Sequence, residues 1–216
     1  MPTLFSRPDG VRTHLEQVWT VGCHSDVGGG YLDSGLSLIS LCWLMSRLQR
    51  TASGGGIQFE EGFVQELWDA NRAYLDASQT PKAGRKWAAS LLTDSAKRLE
   101  WLKWWMAART PGRYHHVDRA TAKTDVSRPL VGTNEKVHFA VREREQMGGL
   151  VSVTGMSGYE PKAMKGWEKV ISGDEPGTAK WVYKGSDKQF EGKVMEEAEL
   201  GVFERELREA YAKVGC

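Results

Sequence analysis

The stretch from Val18 to Tyr31, Val-Trp-Thr-Val-Gly-Cys-His-Ser-Asp-Val-Gly-Gly-Gly-Tyr, constrains this chain more than any other. Val18 to Val21 is β-branched and aromatic, the composition of a short buried strand. It runs into a turn of small residues that carries one histidine and one carboxylate. In open α/β sheets reactive groups gather just outside the carboxyl ends of strands, so His24 stands where chemistry is done. Gly28, Gly29 and Gly30 let the backbone take positive φ and approach a ligand closely, and successive N–H groups in such a turn form an anion-binding concavity. Either Asp33 or Ser34 then N-caps a helix from about Leu36 to Arg50. A histidine after a strand also serves as a hydrogen-bonded structural residue, and a glycine triplet as a plain turn. What favours a site is that His24, Asp26 and the glycines all follow one strand end.

The string Gly22-Cys23-His24-Ser25-Asp26-Val27-Gly28-Gly29-Gly30-Tyr31, followed by Leu36 and an apolar helix with Trp43-Leu44-Met45, resembles the signature of a family of α/β-hydrolase domains related to type VI secretion phospholipase effectors. Looser pieces of the same likeness are Arg109-Thr110-Pro111-Gly112-Arg113-Tyr114, Thr133-Asn134-Glu135-Lys136-Val137-His138 with Val141-Arg142, and Gly158-Tyr159-Glu160-Pro161-Lys162-Ala163 leading to Trp167. The resemblance so drawn runs from Pro2 to about Trp167. It implies a serine hydrolase acting on carboxylic esters, above all lipid or phospholipid acyl esters, with His24 as the base of the triad. The family's nucleophile lies on a Gly-Phe-Ser-Arg-Gly-Ala elbow upstream of the histidine motif, and its triad acid lies upstream too. Neither matches a position here. The resemblance therefore implies the carboxyl-terminal half of such a domain: an α/β fold, a partial α/β-hydrolase-like sandwich, helix-rich, with few sheet strands.

No other serine replaces the missing nucleophile. Ser6 lies between Leu4 and Pro8, where an elbow needs glycines, and Ser157 has Gly155 before it but Tyr159 after it. Without a nucleophile, His24 has only water to deprotonate. Asp26 is the nearest carboxylate, and its reading is that of a loop-shaping residue bonded to the N–H groups of Val27 to Gly29 rather than the triad acid. The chain alone is thus expected to be inactive, a truncated part of a larger enzyme. The rival reading is a non-catalytic remnant or pseudoenzyme that binds lipid or protein. A third, in which His24 and Asp26 hold a divalent metal beside a phosphate, needs more acidic ligands than the pattern supplies.

Composition enters as a set of exclusions. With 29 Lys and Arg against 28 Asp and Glu, the formal charge is +1 and the signs are interspersed, so nucleic acid is not an expected partner. Cys23, Cys42 and Cys216 form no closely spaced pair, which argues against a disulfide framework or a zinc site and suits a reducing, cytoplasmic setting. No metal or cofactor is expected. The longest apolar stretch, Leu36 to Met45, is half of the about 20 residues that a membrane span requires.

Three segments follow from the pattern: a strand, His loop and helix over 1–50, a helical cap-like segment over 57–110, and a carboxyl-terminal segment over 129–216, all within one partial domain. His14 to Val21 is read as strand, and Glu60 to Asp76 as an amphipathic helix. Arg85 to Ala108 concentrates Trp87, Trp101, Trp104 and Trp105. As a helix it is either buried core of a cap or, with Lys97, Arg98, Lys103 and Arg109 as a basic fringe, a surface that lies on lipid. His115 and His116 fall in a polar loop, and Thr133 to Arg144 reads as a short helix carrying His138 as a structural or supporting residue. Leu150 to Val153 is a short strand, Trp181 to Tyr183 an edge strand, and Glu196 to Val214 a closing amphipathic helix.

Overall fold

The computed structural model describes residues 15–49, 56–80, 85–92, 109–118, 120–147 and 161–213. They gather into two compact units, one of strands and one of helices, each built from several separate stretches of chain.

The strand unit holds β1 (Gln17–Trp19), β2 (His115–Val117), β3 (Thr124–Pro129), β4 (Glu135–His138), β5 (Trp167–Ile171), β6 (Ala179–Tyr183) and β7 (Val194–Ala198). Five of them form one mixed sheet in the order β1-β4-β7-β6-β5; β2 and β3 pair as a separate antiparallel ribbon. The β1–β4 and β4–β7 pairings are parallel, and β6 runs antiparallel to both β7 and β5. The period of two shows in β6, where Ala179, Trp181 and Tyr183 are buried and Lys180 is exposed. Facing Trp181 across the ladder is Met195, also buried. The β5–β6 hairpin closes through Thr178, whose hydroxyl donates to the carbonyls of Gly173 and Glu175, both at 2.6 Å.

One buried carboxylate ties this sheet to its loops. Glu135, at the start of β4, accepts the Trp19 indole N–H at 2.9 Å and the Gly112 N–H at 2.8 Å on one oxygen, and the Thr133 hydroxyl at 2.6 Å on the other. Burial of a carboxylate is tolerated because its oxygens are hydrogen-bonded.

The helical unit holds α1 (His24–Gly28), α2 (Gly35–Gln49), α3 (Phe63–Ala77), α4 (Phe139–Gln146) and α5 (Val202–Lys213). Leu36, Ile39, Cys42 and Met45 recur every three residues along α2 and are buried; α2 packs against α1, α3 and α5. Ser46 joins two helices: its hydroxyl donates to the Cys42 carbonyl at 2.8 Å and accepts the Phe203 N–H at 3.2 Å, one of the amides left open where α5 begins. Glu204 closes the same turn by accepting the Gly201 N–H at 2.6 Å. On α4, Arg144 is buried and donates to the carbonyls of Ala88 and Ser90 at 2.6 and 2.9 Å. The guanidinium groups of Arg142 and Arg208 both lie over the Phe139 ring, 4.7 and 4.9 Å from its centre.

The α/β content agrees with the sequence, and α2 and α3 fall where the apolar spacing puts them. The expectation of few strands does not hold: the described residues contain seven. Glu135–His138, expected within a helix over Thr133 to Arg144, is a strand held by parallel partners on both sides, and only Phe139–Gln146 is helical. Val194–Ala198 takes the first residues expected of the closing helix because β4 and β6 pair with it. His115 and His116 lie on β2 rather than in a loop. β6 is not an edge strand, since β5 covers its outer side. The first strand is shorter than expected, Gln17–Trp19. The Trp-rich helix falls largely outside the described residues, as does the strand expected at Leu150 to Val153. Trp87, which is described, is buried in a turn and packs against Phe139, with ring centres 5.8 Å apart. Among the described residues no helix is long and apolar enough to cross a membrane.

Candidate functional site

After β1 the chain passes through Thr20 and buried Val21 to Gly22, whose φ of 100° only glycine adopts readily. A Cβ on Gly22 would also collide with the Cβ of Asp26. Cys23 follows in extended conformation as the N-cap of α1, and His24 is the first helical residue. This short helix is closed by a reciprocal capping box: the Cys23 sulfur accepts the Asp26 N–H, and the Asp26 carboxylate accepts the Cys23 N–H at 2.9 Å. At the other end the Gly29 N–H donates to the Ser25 carbonyl at 3.0 Å, and Gly29 and Gly30 turn the chain away with φ of 86° and 107°. Asp33 bridges what comes next, accepting the Gly35 N–H at 3.1 Å and the Leu91 N–H at 3.2 Å, while Ser34 engages Asn71 through both its N–H and its hydroxyl.

The sequence expected His24 on a glycine-rich loop; it sits instead at the head of a helix, with its side chain exposed. Asp26 does shape this segment, but through the Cys23 N–H behind it and not through those of Val27 to Gly29 ahead of it. The reason is its place at the third helical position, from which a short acidic side chain reaches back to the N-cap amide. No hydrogen bond joins the Asp26 carboxylate to the His24 imidazole among the described residues. The glycine triplet divides as well. Gly28 ends the helix, Gly29 spends its N–H on the helix terminus, and Gly30 carries the chain outward.

Residues 2–47 match the family model of the T6SS phospholipase effector Tle1-like catalytic domain. The match takes in the histidine motif and α2 as far as Arg47, and so lies at the amino-terminal end of this chain. The wider reach drawn from the sequence is corrected accordingly: the pieces from Arg109 to Trp167 stand outside the match. No curated protein and no solved structure matches the chain.

The remaining described histidines belong to the strand unit, His115 and His116 on β2 and buried His138 at the end of β4. His115 packs edge-on against Phe190, with ring centres 5.2 Å apart. No group of three His, Cys, Asp or Glu side chains among the described residues is arranged to hold a metal ion. Reading the residues alone missed Gly22 and Cys23. A Ser-x-x-Glu pattern would have signalled the box, but here Cys stands for Ser and Asp for Glu.

Proposed function

We propose that this chain carries the histidine base of a carboxylic ester hydrolase of the lipase or phospholipase kind, acting on lipid acyl esters, within an α/β-hydrolase-like fold. The observation that carries the reading is an exposed imidazole at the head of a short capped helix, inside the only stretch that the phospholipase effector model covers. In this role His24 takes the proton of a serine hydroxyl as its oxygen attacks the ester carbonyl carbon. It then returns that proton to the alcohol that leaves, and repeats the cycle with water to release the acid. No Gly-x-Ser-x-Gly elbow occurs in these 216 residues, so the hydroxyl on which His24 acts is not presented by an elbow of this sequence.

The test is to read the genomic sequence in frame upstream of the Met1 codon for such an elbow, and to assay the polypeptide that includes it on p-nitrophenyl esters and phosphatidylglycerol vesicles. The expected result is turnover that falls about 10²–10⁴-fold on His24→Ala, with no change in the thermal midpoint, since the side chain is exposed. Turnover untouched by His24→Ala would remove His24 from the reaction. An upstream frame with no elbow would favour a non-catalytic chain that binds lipid or protein.

A further inference from the structure

We infer that Asp26 is the positioning residue of this site, holding the His24 imidazole in place through the Cys23 N–H without touching it. The inference rests on the reading of His24 as the base.

A helix of the length of α1 does not persist on its own backbone bonds, because nucleation is unfavourable and most of its N–H groups lie in the first turn. What holds it is its packing against α2 and the bonds at its ends. Asp26 is 4 % exposed, and a carboxylate this buried has given up most of its water. Its oxygen is directed at the N–H of Cys23, the residue immediately before His24. The Cys23 carbonyl meanwhile accepts the Val27 N–H at 3.1 Å, so the peptide units on either side of the Cys23 α-carbon are both bonded. The second of those units is joined directly to the His24 α-carbon, so holding both restricts the direction in which the His24 side chain leaves the chain. Gly22 completes the arrangement, for the space its side chain would take is filled by Asp26 itself. The inward side of α1 is thus occupied by Asp26, and the exposed side chains it presents are those of His24 and Val27. A buried anchor two residues from an exposed imidazole fits a segment built to present that imidazole.

The test reads the imidazole directly. The chain contains five histidines, whose ring Cε1–Hε1 resonances in histidine-labelled protein report on five separate places. Asp26→Ala is expected to move the His24 resonance toward its position in urea-unfolded protein and to abolish the helical Cα shifts of His24 to Gly28, leaving the other four resonances in place. Asp26→Asn keeps an oxygen that accepts the Cys23 N–H, and is expected to restore the native His24 position. Gly22→Ala, acting on the same contact from the other side, is expected to displace the His24 resonance again. A His24 resonance unmoved in Asp26→Ala overturns the inference, as does an Asn variant displaced as far as the Ala variant. Should Asp26→Ala unfold the whole protein, Asp26→Asn and Gly22→Ala decide by the same criteria. None of these readouts requires ester turnover, so the inference and the hydrolase reading fail separately.

Discussion

The indole N–H of Trp19 donates to Glu135 Oε1 at 2.9 Å across 116 residues of chain. That carboxylate also takes the Gly112 N–H and the Thr133 hydroxyl. Glu135→Ala leaves three donors without their acceptor in a buried place, at about 3 kcal/mol or more of stability in urea unfolding. Glu135→Gln should cost much less. Its amide oxygen still accepts from Trp19 and Gly112, and its NH₂ donates to the Thr133 hydroxyl, which reverses roles readily. Equal losses in the two variants would show that the negative charge matters, and not the acceptor geometry.

Arg144 supports the turn at Ala88 and Ser90 from α4. Arg144→Met fills the volume but strands two carbonyls, and the expected loss is about 2–4 kcal/mol. Hydrogen exchange should locate it. Amides in 85–92 lose protection first, and protection retained there would place the contribution of Arg144 elsewhere.

Gly28 and Gly30 predict opposite outcomes although they are two residues apart. Gly28 is helical, and a Cβ on it meets nothing within 4 Å, so Gly28→Ala should raise stability by up to about 1 kcal/mol. Gly30 has φ of 107°, and Gly30→Ala should lower stability by about 1–2 kcal/mol. Thermal midpoints that move the same way in both variants would contradict the assigned end of α1.

Burial, with the charges of Glu204 and Glu206 nearby, pushes the Cys42 thiol up to about 12. The folded protein therefore keeps this proton over a range in which the unfolded chain has lost it. Stability from Cys42 is whole below about pH 9 and falls as pH rises toward 12, by at most about 1.4 kcal/mol per pH unit. Tyr211, raised first by burial and then by Asp33, acts in the same direction at higher pH. Urea unfolding from pH 8 to 11 should show the decline, with a shallower slope in Cys42→Ala. In a Cys216→Ser background at pH 8, a thiol reagent should modify half-exposed Cys23 quickly and Cys42 only on unfolding.

What the residues made legible was the helical unit. Apolar spacing picks out Leu36, Ile39, Trp43, Leu44 and Leu48 on α2 and Phe63, Leu67, Trp68, Tyr74 and Leu75 on α3; of these Leu36, Ile39, Trp68 and Leu75 are buried, whereas Leu44 and Leu48 are exposed. The strands were harder, for reasons visible in β4 and β7. Glu135-Lys136-Val137-His138 and Val194-Met195-Glu196-Glu197-Ala198 are too short to show alternation, and their glutamates are good helix formers. Pairing decides their state: β4 lies between β1 and β7, and a buried Glu135 satisfied by distant donors has no local signature. At the site, the histidine and glycines were visible as a group. The bond from Asp26 back to Cys23 was not, because a cysteine seldom stands at the N-cap.

The register of β1 against β4 sets an order for events during synthesis. Among the described residues β1 hydrogen-bonds to no strand but β4, so Gln17 to Trp19 must wait until Glu135 to Val137 have been made. At ribosomal speeds that delay is roughly 6–24 s. Throughout it the short strand Gln17–Trp19 lacks its partner, within reach of chaperones and of other nascent chains.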